Sequence, residues 1–513
     1  MLATEVSSVS SKLKTNILAN LLGGTWIAVL TVVIMPLQVH LLGMEAYGFI
    51  GLIAILQVVV STFDLGLSSA VTQAVAADQS IKLKSTSELV NSVATLYWSM
   101  ALLIAAVLWF SSDWIAASWL KPSVLDAATV TLGMQVIAFY LALRWPVAFY
   151  TGLISGMQRM DVLNMIKSGT ATVRLLGGIA VLLIIPELMA FLIWFAISAI
   201  LETTVYVTVS RILFGGLEIR PYFSLESIRT VWKFSLAMTA ISVMAMLLGQ
   251  LDRLMVSKLL SLEALGYYSL AYNTAIGISL LQTAINSASF PAFSEAHSQR
   301  QSENLLRRYD KVCQLMGYAI ALPCFALIFF GYDILYAWID AGAAAGGYVT
   351  MALLALGFYL NAMVSNAYIM FIAQGQPMLP LKVNVVGLLF YFPVLFWLTS
   401  ETGTNGAAAC WTFLNLYYFF TLLPQAQIGL LRQKVMPWLK HNCFPFLLTG
   451  LLVFGGMKFI LDILPKTWAI WPTLILSAAI YSFLGFRFLS TELSTDIRVL
   501  LRQVTNLVLG IVR

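Results

Sequence analysis

Apolar stretches long enough to cross a bilayer follow one another along most of the chain, separated by short polar or charged segments. A transmembrane helix needs about 20 mostly apolar residues. We therefore expect an all-α integral membrane protein with about fourteen transmembrane helices. The predicted spans are 15–41, 46–76, 89–110, 126–156, 164–186, 188–210, 231–258, 264–295, 312–337, 346–374, 380–400, 405–427, 441–463 and 468–490.

Composition excludes the other broad classes of protein. Hydrophobic residues make up 60% of the chain and charged residues only 10%, whereas a soluble domain carries about 25% charged residues. A soluble enzyme, a disordered chain and a collagen-like fibre are therefore excluded. The four cysteines lie in apolar stretches without metal-ligand or redox spacing, so we expect buried thiols and no metal or cofactor. They are Cys313, Cys324, Cys410 and Cys443.

Charge placement predicts the orientation in the membrane. The chain has 29 Lys and Arg against 23 Asp and Glu, a net charge of +6, and most of the basic residues fall in alternate short loops. Cytoplasmic loops of membrane proteins are enriched in Lys and Arg, so both termini are predicted to be cytoplasmic and nucleic acid is not an expected partner. The first apolar run is too long for a signal-peptide core of ~7–15 residues, and we expect it to remain as a span.

One internal similarity predicts a duplicated architecture. The segment LLGMEAYGFI at 41–50 resembles LLSLEALGYY at 259–268, at an offset of 218 residues. Each segment follows an odd-numbered predicted span on the outside, so the repeats have the same orientation, a known transporter plan. The tail is expected to lie on the anionic inner leaflet. The predicted parts are a six-helix lobe at 1–210, a cytoplasmic linker at 211–230, a second six-helix lobe at 231–427, two additional helices at 428–490 and a cytoplasmic amphipathic tail at 491–513.

Several motifs resemble a known family. They are NILANLLGG, LLGMEAYGFIGL, TFDLGLSSA, QLDRLMVSKLLSLEALGYYSLAYNTA and FPAFSEA. These segments resemble the Wzx-type polysaccharide and O-antigen flippases of the MATE-like (multidrug/oligosaccharidyl-lipid/polysaccharide) superfamily, over about 14–75 and 232–297.

The resemblance implies two six-helix bundles that face a central cavity and rock to open it to either side in turn. The implied cargo is an oligosaccharide on undecaprenyl pyrophosphate, moved from the cytoplasmic to the outer leaflet of a bacterial inner membrane. It would serve the synthesis of a surface polysaccharide such as the O-antigen of lipopolysaccharide. Membrane lipid and a polysaccharide polymerase machinery are the implied partners.

Charged residues inside the predicted spans are the strongest candidates for function. A charge at bilayer depth costs several kcal/mol and therefore normally faces a partner or water. Four such residues lie in the first lobe: Asp64, Arg144, Arg174 and Glu202. The forks of Arg144 and Arg174 suit the oxygens of a pyrophosphate. The alternative is that either arginine pairs with a carboxylate, Glu202 or Asp64, and holds the helices together.

Asp64 and a further acidic residue, Asp252, could carry a proton or a charge pair. Asp64 could bind a coupling proton because burial favours the neutral carboxyl group, or it could hold a tight turn beside Gly66 by a hydrogen bond. Asp252 and Arg253 are neighbours in the seventh span and point about 100° apart on a helix. We expect one of them to face the cavity, with Arg253 a headgroup candidate, and the other to face an adjacent helix or the interface.

The second lobe carries amides where the first carries charges. At the repeat offset Asp64 corresponds to Gln282, and Gln282 and Asn286 predict a polar cavity in this lobe. Lys458 near the outer end of the thirteenth span is expected to extend its amine to the interface.

Three functions can be weighed against this pattern. A membrane glycosyltransferase or polymerase would need a large outside loop or clustered catalytic carboxylates, and the sequence has neither. It also has no GxxxxGK[ST] motif for a nucleotide. An ion-coupled multidrug or metabolite exporter of the same superfamily remains the alternative, because the deep charges are of mixed sign. The polysaccharide-type motifs favour a flippase, which is not an enzyme.

Overall fold

The computed structural model describes residues 23–78, 81, 84–214, 221–299, 302–463, 470–499 and 502. All regular structure in these residues is helical. Eleven of their helices are long and apolar enough to cross a membrane, and two shorter apolar helices accompany them. The chain is therefore an all-helical, multi-pass membrane protein, as its apolar pattern predicts.

The chain divides into two compact units, of which the first runs to Ser269. Helix α11 begins in this unit and ends in the second. The helices of the first unit are α1 (Gly23–Leu42), α2 (Met44–Ser61), α3 (Leu67–Ala77), α4 (Lys84–Phe110), α5 (Ser112–Trp114), α6 (Ala127–Arg144), α7 (Val147–Gly156), α8 (Met160–Ile184), α9 (Leu188–Leu213), α10 (Leu225–Leu259) and α11 (Leu262–Ala275).

Two of the predicted spans in this unit are broken near their middle. A 3-10 turn at Thr62–Asp64 and a left-handed Gly66 (φ 69°) separate α2 from α3. Pro146, which lacks a backbone N–H, separates α6 from α7. The second halves, α3 and α7, pack closely, since a Cβ on Gly152 would lie 2.7 Å from the Ser68 carbonyl oxygen. The breaks therefore bring the end of α6 and the start of α3 into one region.

The second unit, Leu270–Arg513, contains the remaining helices. They are α12 (Gly277–Ser298), α13 (Ser302–Trp338), α14 (Ala341–Ala373), α15 (Met378–Pro424), α16 (Val435–Asn442), α17 (Phe444–Ile463), α18 (Ile470–Phe486) and α19 (491–499). All four cysteines lie in this unit, buried and outside any disulfide, as their apolar surroundings predict.

Helix α15 is too long for one membrane crossing. Its 47 residues would span about 70 Å as one straight helix, whereas the hydrocarbon core is about 30 Å thick. Gly403 interrupts it with a non-helical backbone (φ 65°, ψ −141°). The break lies between the predicted spans 380–400 and 405–427.

The two similar sequence segments meet in the first unit, where α2 crosses α11. A Cβ on Gly48 would clash with the carbonyl oxygen of Leu262, and a Cβ on Gly266 would clash with that of Met44. Met44 and Leu262 are equivalent at the repeat offset of 218, as are Gly48 and Gly266. The contact is therefore reciprocal, and each helix needs glycine at the same repeat position.

A loop fastens this crossing. The buried Glu45 carboxylate accepts hydrogen bonds of 2.9–3.1 Å from the three backbone N–H groups of 123–125. On the other side of the loop, the Lys121 amine donates to the Leu259 carbonyl oxygen (2.7 Å), and the Leu262 N–H donates to the Lys121 carbonyl oxygen (3.1 Å). The loop thus ties the start of α2 to the α10–α11 connection. We call residues 118–125 the strap.

The structure corrects one expectation in the second unit and adds to another. Lys458 does not extend alone to the interface, because its amine forms ion pairs with the buried Asp333 and with Asp462 (2.9 Å). In the tail, the Lys311 amine of α13 lies 2.9 Å from Glu492 and 3.2 Å from Asp496. The described part of the tail therefore docks through its acidic side chains on α13, and residues 503–513 lie outside the described part.

Candidate substrate site

Arg144, Arg174 and Glu202 meet inside the first unit, from helices α6, α8 and α9. Arg144 Nε lies 2.8 Å from Glu202 Oε2, and its Nη2 lies 3.1 Å from Oε1, which makes a two-point fork. Arg174 Nη1 lies 2.9 Å from the same Oε2. Glu202 is only 4% exposed. One buried carboxylate therefore holds two guanidinium groups, and the formal charge of this arginine cluster is +1.

Local structure positions the fork of Arg144. Arg144 is the last residue of α6, immediately before the break at Pro146. Its Nη1 donates to the hydroxyl of Tyr140, one turn earlier (2.9 Å). The Thr203 hydroxyl of α9 donates to the Leu143 carbonyl oxygen (2.6 Å). The end of α6 is thus fastened to the helix that carries Glu202, and the guanidinium is held from two sides.

A cavity of about 330 Å³ lies beside Arg144. It opens between the two broken spans, and hydroxyl groups provide much of its polar lining. These are Ser61, Ser68, Ser69, Thr72, Thr151 and Ser155. A guanidinium beside several hydroxyls can bind an anionic group and hydrogen-bond the oxygen-rich groups attached to it.

Sequence reasoning found the charges but missed the hydroxyls. The signal was present, because Ser68 and Thr72, and likewise Thr151 and Ser155, are four residues apart and therefore share a helix face. Within an apolar span, hydroxyls on one face indicate a polar surface.

Asp64 stabilises the turn between α2 and α3. It ends the 3-10 turn and accepts a hydrogen bond from the Ser68 hydroxyl (2.8 Å), two residues from the left-handed Gly66. The two arginines pair with Glu202 and not with Asp64. The hydrogen-bonded turn was one of the two alternatives considered for this residue, and its coupling role stays a prediction.

Asp252 and Arg253 are both buried, with 1% and 7% exposure. The Tyr268 hydroxyl of α11 donates to Asp252 Oδ2 at 2.6 Å, so Asp252 faces an adjacent helix. Because both residues are enclosed by protein, the expected interface position applies to neither of them. A substrate role for Arg253 stays a prediction.

In the second unit the predicted Gln282 belongs to a chain of three amides. The Gln282 amide donates to Asn361 (3.0 Å), and the Asn361 amide donates to Asn415 (2.8 Å). Nearby, the Ser365 hydroxyl donates to Asn286 (3.3 Å). These bonds connect α12, α14 and α15 through their interior. A role for Gln282 and Asn286 in a cavity stays a prediction.

The fold is that of a known class of membrane transporters. The chain superposes on the lipid II flippase MurJ in an inward closed conformation with a TM-score of 0.73, over 92% of this chain and 98% of that one, at 13% identity. It superposes on the Vibrio cholerae MATE transporter VcmN with a TM-score of 0.57, over 84% and 99% of the two chains, at 15% identity. The fold is therefore of the MurJ and MATE type.

Sequence comparison gives the family within that class. Residues 39–337, more than half of the chain, match the family described as "Polysaccharide biosynthesis protein", and the chain belongs to that family. It is similar to a "Putative O-antigen transporter" of Shigella flexneri, 22% identical over 377 residues, which cover 72% of this chain and 87% of the relative. The chain is therefore a multi-pass membrane protein of the polysaccharide biosynthesis family, and this match confirms the family resemblance drawn from its motifs.

Proposed function

We propose that the protein is a flippase that moves an oligosaccharide on undecaprenyl pyrophosphate from the cytoplasmic to the outer leaflet by alternating access. The observation that carries this proposal is the arginine cluster of Arg144, Glu202 and Arg174, with its formal charge of +1, beside a hydroxyl-lined cavity. Guanidinium groups match phosphate oxygens in charge and geometry. The hydroxyls suit the sugar that follows the pyrophosphate.

The relatives support the same cargo class. One is named as a lipid II flippase and another as an O-antigen transporter. Transport of a lipid-linked sugar for a surface polysaccharide is consistent with both names. We place the protein in a bacterial inner membrane on the same grounds.

We further propose fourteen crossings with both termini in the cytoplasm. The eleven long apolar helices become fourteen crossings when α15 is divided at Gly403 and when α18 and the pair α11–α12 each cross once. The duplicated lobes at 1–210 and 231–427 remain part of this proposal. Single cysteines in predicted outside loops, labelled by a thiol reagent that does not cross the membrane, would test the orientation.

The proposal is tested in cells that lack the chromosomal gene. Lipid-linked glycans are analysed by mass spectrometry and surface polysaccharide is analysed in parallel. We expect one lipid-linked oligosaccharide to accumulate, surface polymer to disappear, and the wild-type gene to reverse both changes.

Arg144→Ala and Arg174→Ala should fail to restore the polymer at normal protein levels. Arg159→Ala is the matched control because Arg159 is half-exposed and pairs with Asp161 at the surface, and it should restore the polymer. Full activity in both cluster variants would refute the headgroup role.

An ion-coupled multidrug or metabolite exporter is the second candidate. The shared MATE-like fold and the Asp64 carboxylate within the first unit favour it, since cationic cargo needs an acidic group and Glu202 is already paired with two arginines. The same deletion strain separates the two functions. Unchanged lipid-linked glycans together with new sensitivity to cationic dyes would identify an exporter.

A further inference from the structure

Glu202 occupies the guanidinium fork that best suits the phosphate of an anionic headgroup. Arg144 directs Nε and Nη2 at Glu202 and Nη1 at Tyr140, so its two-point fork is already occupied. Arg174 directs Nη1 at the same carboxylate. A phosphate group that takes this Nε/Nη2 fork of Arg144 must therefore displace Glu202.

Displacement leaves Glu202 in an unfavourable state. The side chain is 4% exposed, so it cannot turn to bulk water within this arrangement. Removing the partner of a buried charge is strongly unfavourable. A carboxylate in this state lowers its free energy by binding a proton.

The charge balance of the occupied cluster also favours a protonated Glu202. A pyrophosphate diester carries two negative charges, and the two guanidinium groups carry two positive charges. With Glu202 ionised, the occupied cluster would hold one uncompensated negative charge at bilayer depth. With Glu202 protonated, the occupied cluster is neutral.

We infer that Glu202 is a proton-binding site, and that binding of a diphosphate headgroup to the arginine cluster is coupled to uptake of one proton by this carboxyl group. The inference rests on the proposed function and deepens it by naming the co-bound ion and its residue. It assigns coupling to Glu202, whereas the sequence suggested Asp64.

Four helices contribute the side chains that surround the Glu202 carboxylate. Helix α6 presents Arg144 and Tyr140, helix α8 presents Arg174, and α9 itself presents Tyr206 one turn away. Helix α7 contributes the Thr151 hydroxyl, which bonds Tyr206. Neutral hydroxyls and the two guanidinium groups thus surround the carboxylate, and the guanidinium groups are the partners that the headgroup would withdraw.

The test measures proton uptake directly with the full-length protein in detergent. The probe is UDP-N-acetylglucosamine, a soluble pyrophosphate diester whose phosphate charge is constant around neutral pH. Calorimetric titrations in buffers with different heats of ionisation give the number of protons bound with the ligand. We expect about one proton per ligand and an affinity that falls about tenfold for each unit of rising pH, as linkage requires.

Two variants show whether Glu202 or Asp64 binds the proton. Glu202→Gln should bind the probe without proton uptake and with an affinity independent of pH. Asp64→Asn should keep the uptake and the pH dependence of the wild type. Size-exclusion chromatography and thermal melting show whether each variant is folded. The titration of the wild type tests for proton uptake even if a variant does not fold.

The outcomes distinguish this inference from the proposed function. Binding by the wild type without proton uptake overturns the inference and leaves the headgroup site intact. Uptake that persists in Glu202→Gln and disappears in Asp64→Asn also overturns it, in favour of Asp64. No binding by either the wild type or Glu202→Gln removes the headgroup site, and the inference falls with it.

Discussion

Gly48→Ala should loosen the crossing of α2 and α11. The new Cβ would lie 2.8 Å from the Gly266 backbone nitrogen and still closer to the Leu262 carbonyl oxygen, whereas real Cβ atoms essentially never come within 3.0 Å of such an atom. Both obstacles are backbone atoms, so no side chain can turn away. The two helices must therefore separate by roughly 1 Å to restore ordinary contact distances.

The expected cost is that of an overpacked interior. Adding a methyl group to a well-packed site costs about 1–3 kcal/mol. In domains of 150–250 residues, each kcal/mol lowers Tm by about 2–4 °C. We therefore expect a decrease of several degrees in the melting temperature of the detergent-solubilised protein.

Gly249→Ala is the matched control. A Cβ on Gly249 of α10 would meet nothing within 4 Å, so its melting temperature should stay at or above that of the wild type. A Ser269→Cys reporter adds a local measurement, because Ser269 lies against Gly51 in the same crossing and the native cysteines are buried. Thiol labelling at 269 should accelerate when Gly48→Ala is added. Unchanged melting and unchanged labelling would show that the two glycines are not in contact.

Two further substitutions test buried charges elsewhere. Glu45→Ala removes the acceptor for the N–H groups of 123–125 and should destabilise the strap by about 1–3 kcal/mol. Hydrogen exchange at 123–125 should accelerate, and unchanged protection there would contradict the assigned bonds. Lys458→Met leaves the buried Asp333 without its Lys458 partner and should lower stability by about 3–5 kcal/mol. Adding Asp333→Asn should recover much of the loss in thermal melts, and no recovery would mean that Asp333 does not depend on Lys458.

Hydropathy predicted an all-helical chain with many apolar helices because the bilayer imposes the same length requirement on every crossing; among the described residues eleven helices meet that requirement. The divisions at 184–188 and 338–341 lie where the sequence predicted new spans. The breaks at Gly66 and Pro146 were harder to predict. Glycine and proline are tolerated in many membrane helices, and only packing against a neighbour decides whether the helix is interrupted.

The deep charges could be identified from sequence, but their pairing could not. Arg144 is 58 residues from Glu202, and Arg174 is 28 residues from it. No short-range rule connects such positions. The sequence allowed pairing with Glu202 or with Asp64, and helix packing selected Glu202 for both arginines. Lys458 is a similar case, because its buried partner Asp333 is 125 residues away.

The contact of Gly48 with Gly266 has a consequence for how the sequence encodes this crossing. Each glycine meets its own counterpart, and Met44 and Leu262 exchange roles across the contact. Two identical subunits related by a two-fold axis make contacts of this self-complementary kind. One kind of segment with one glycine therefore suffices to build both sides of the crossing. The two glycines are separate codons under one steric requirement, so a change at either one disturbs the same contact.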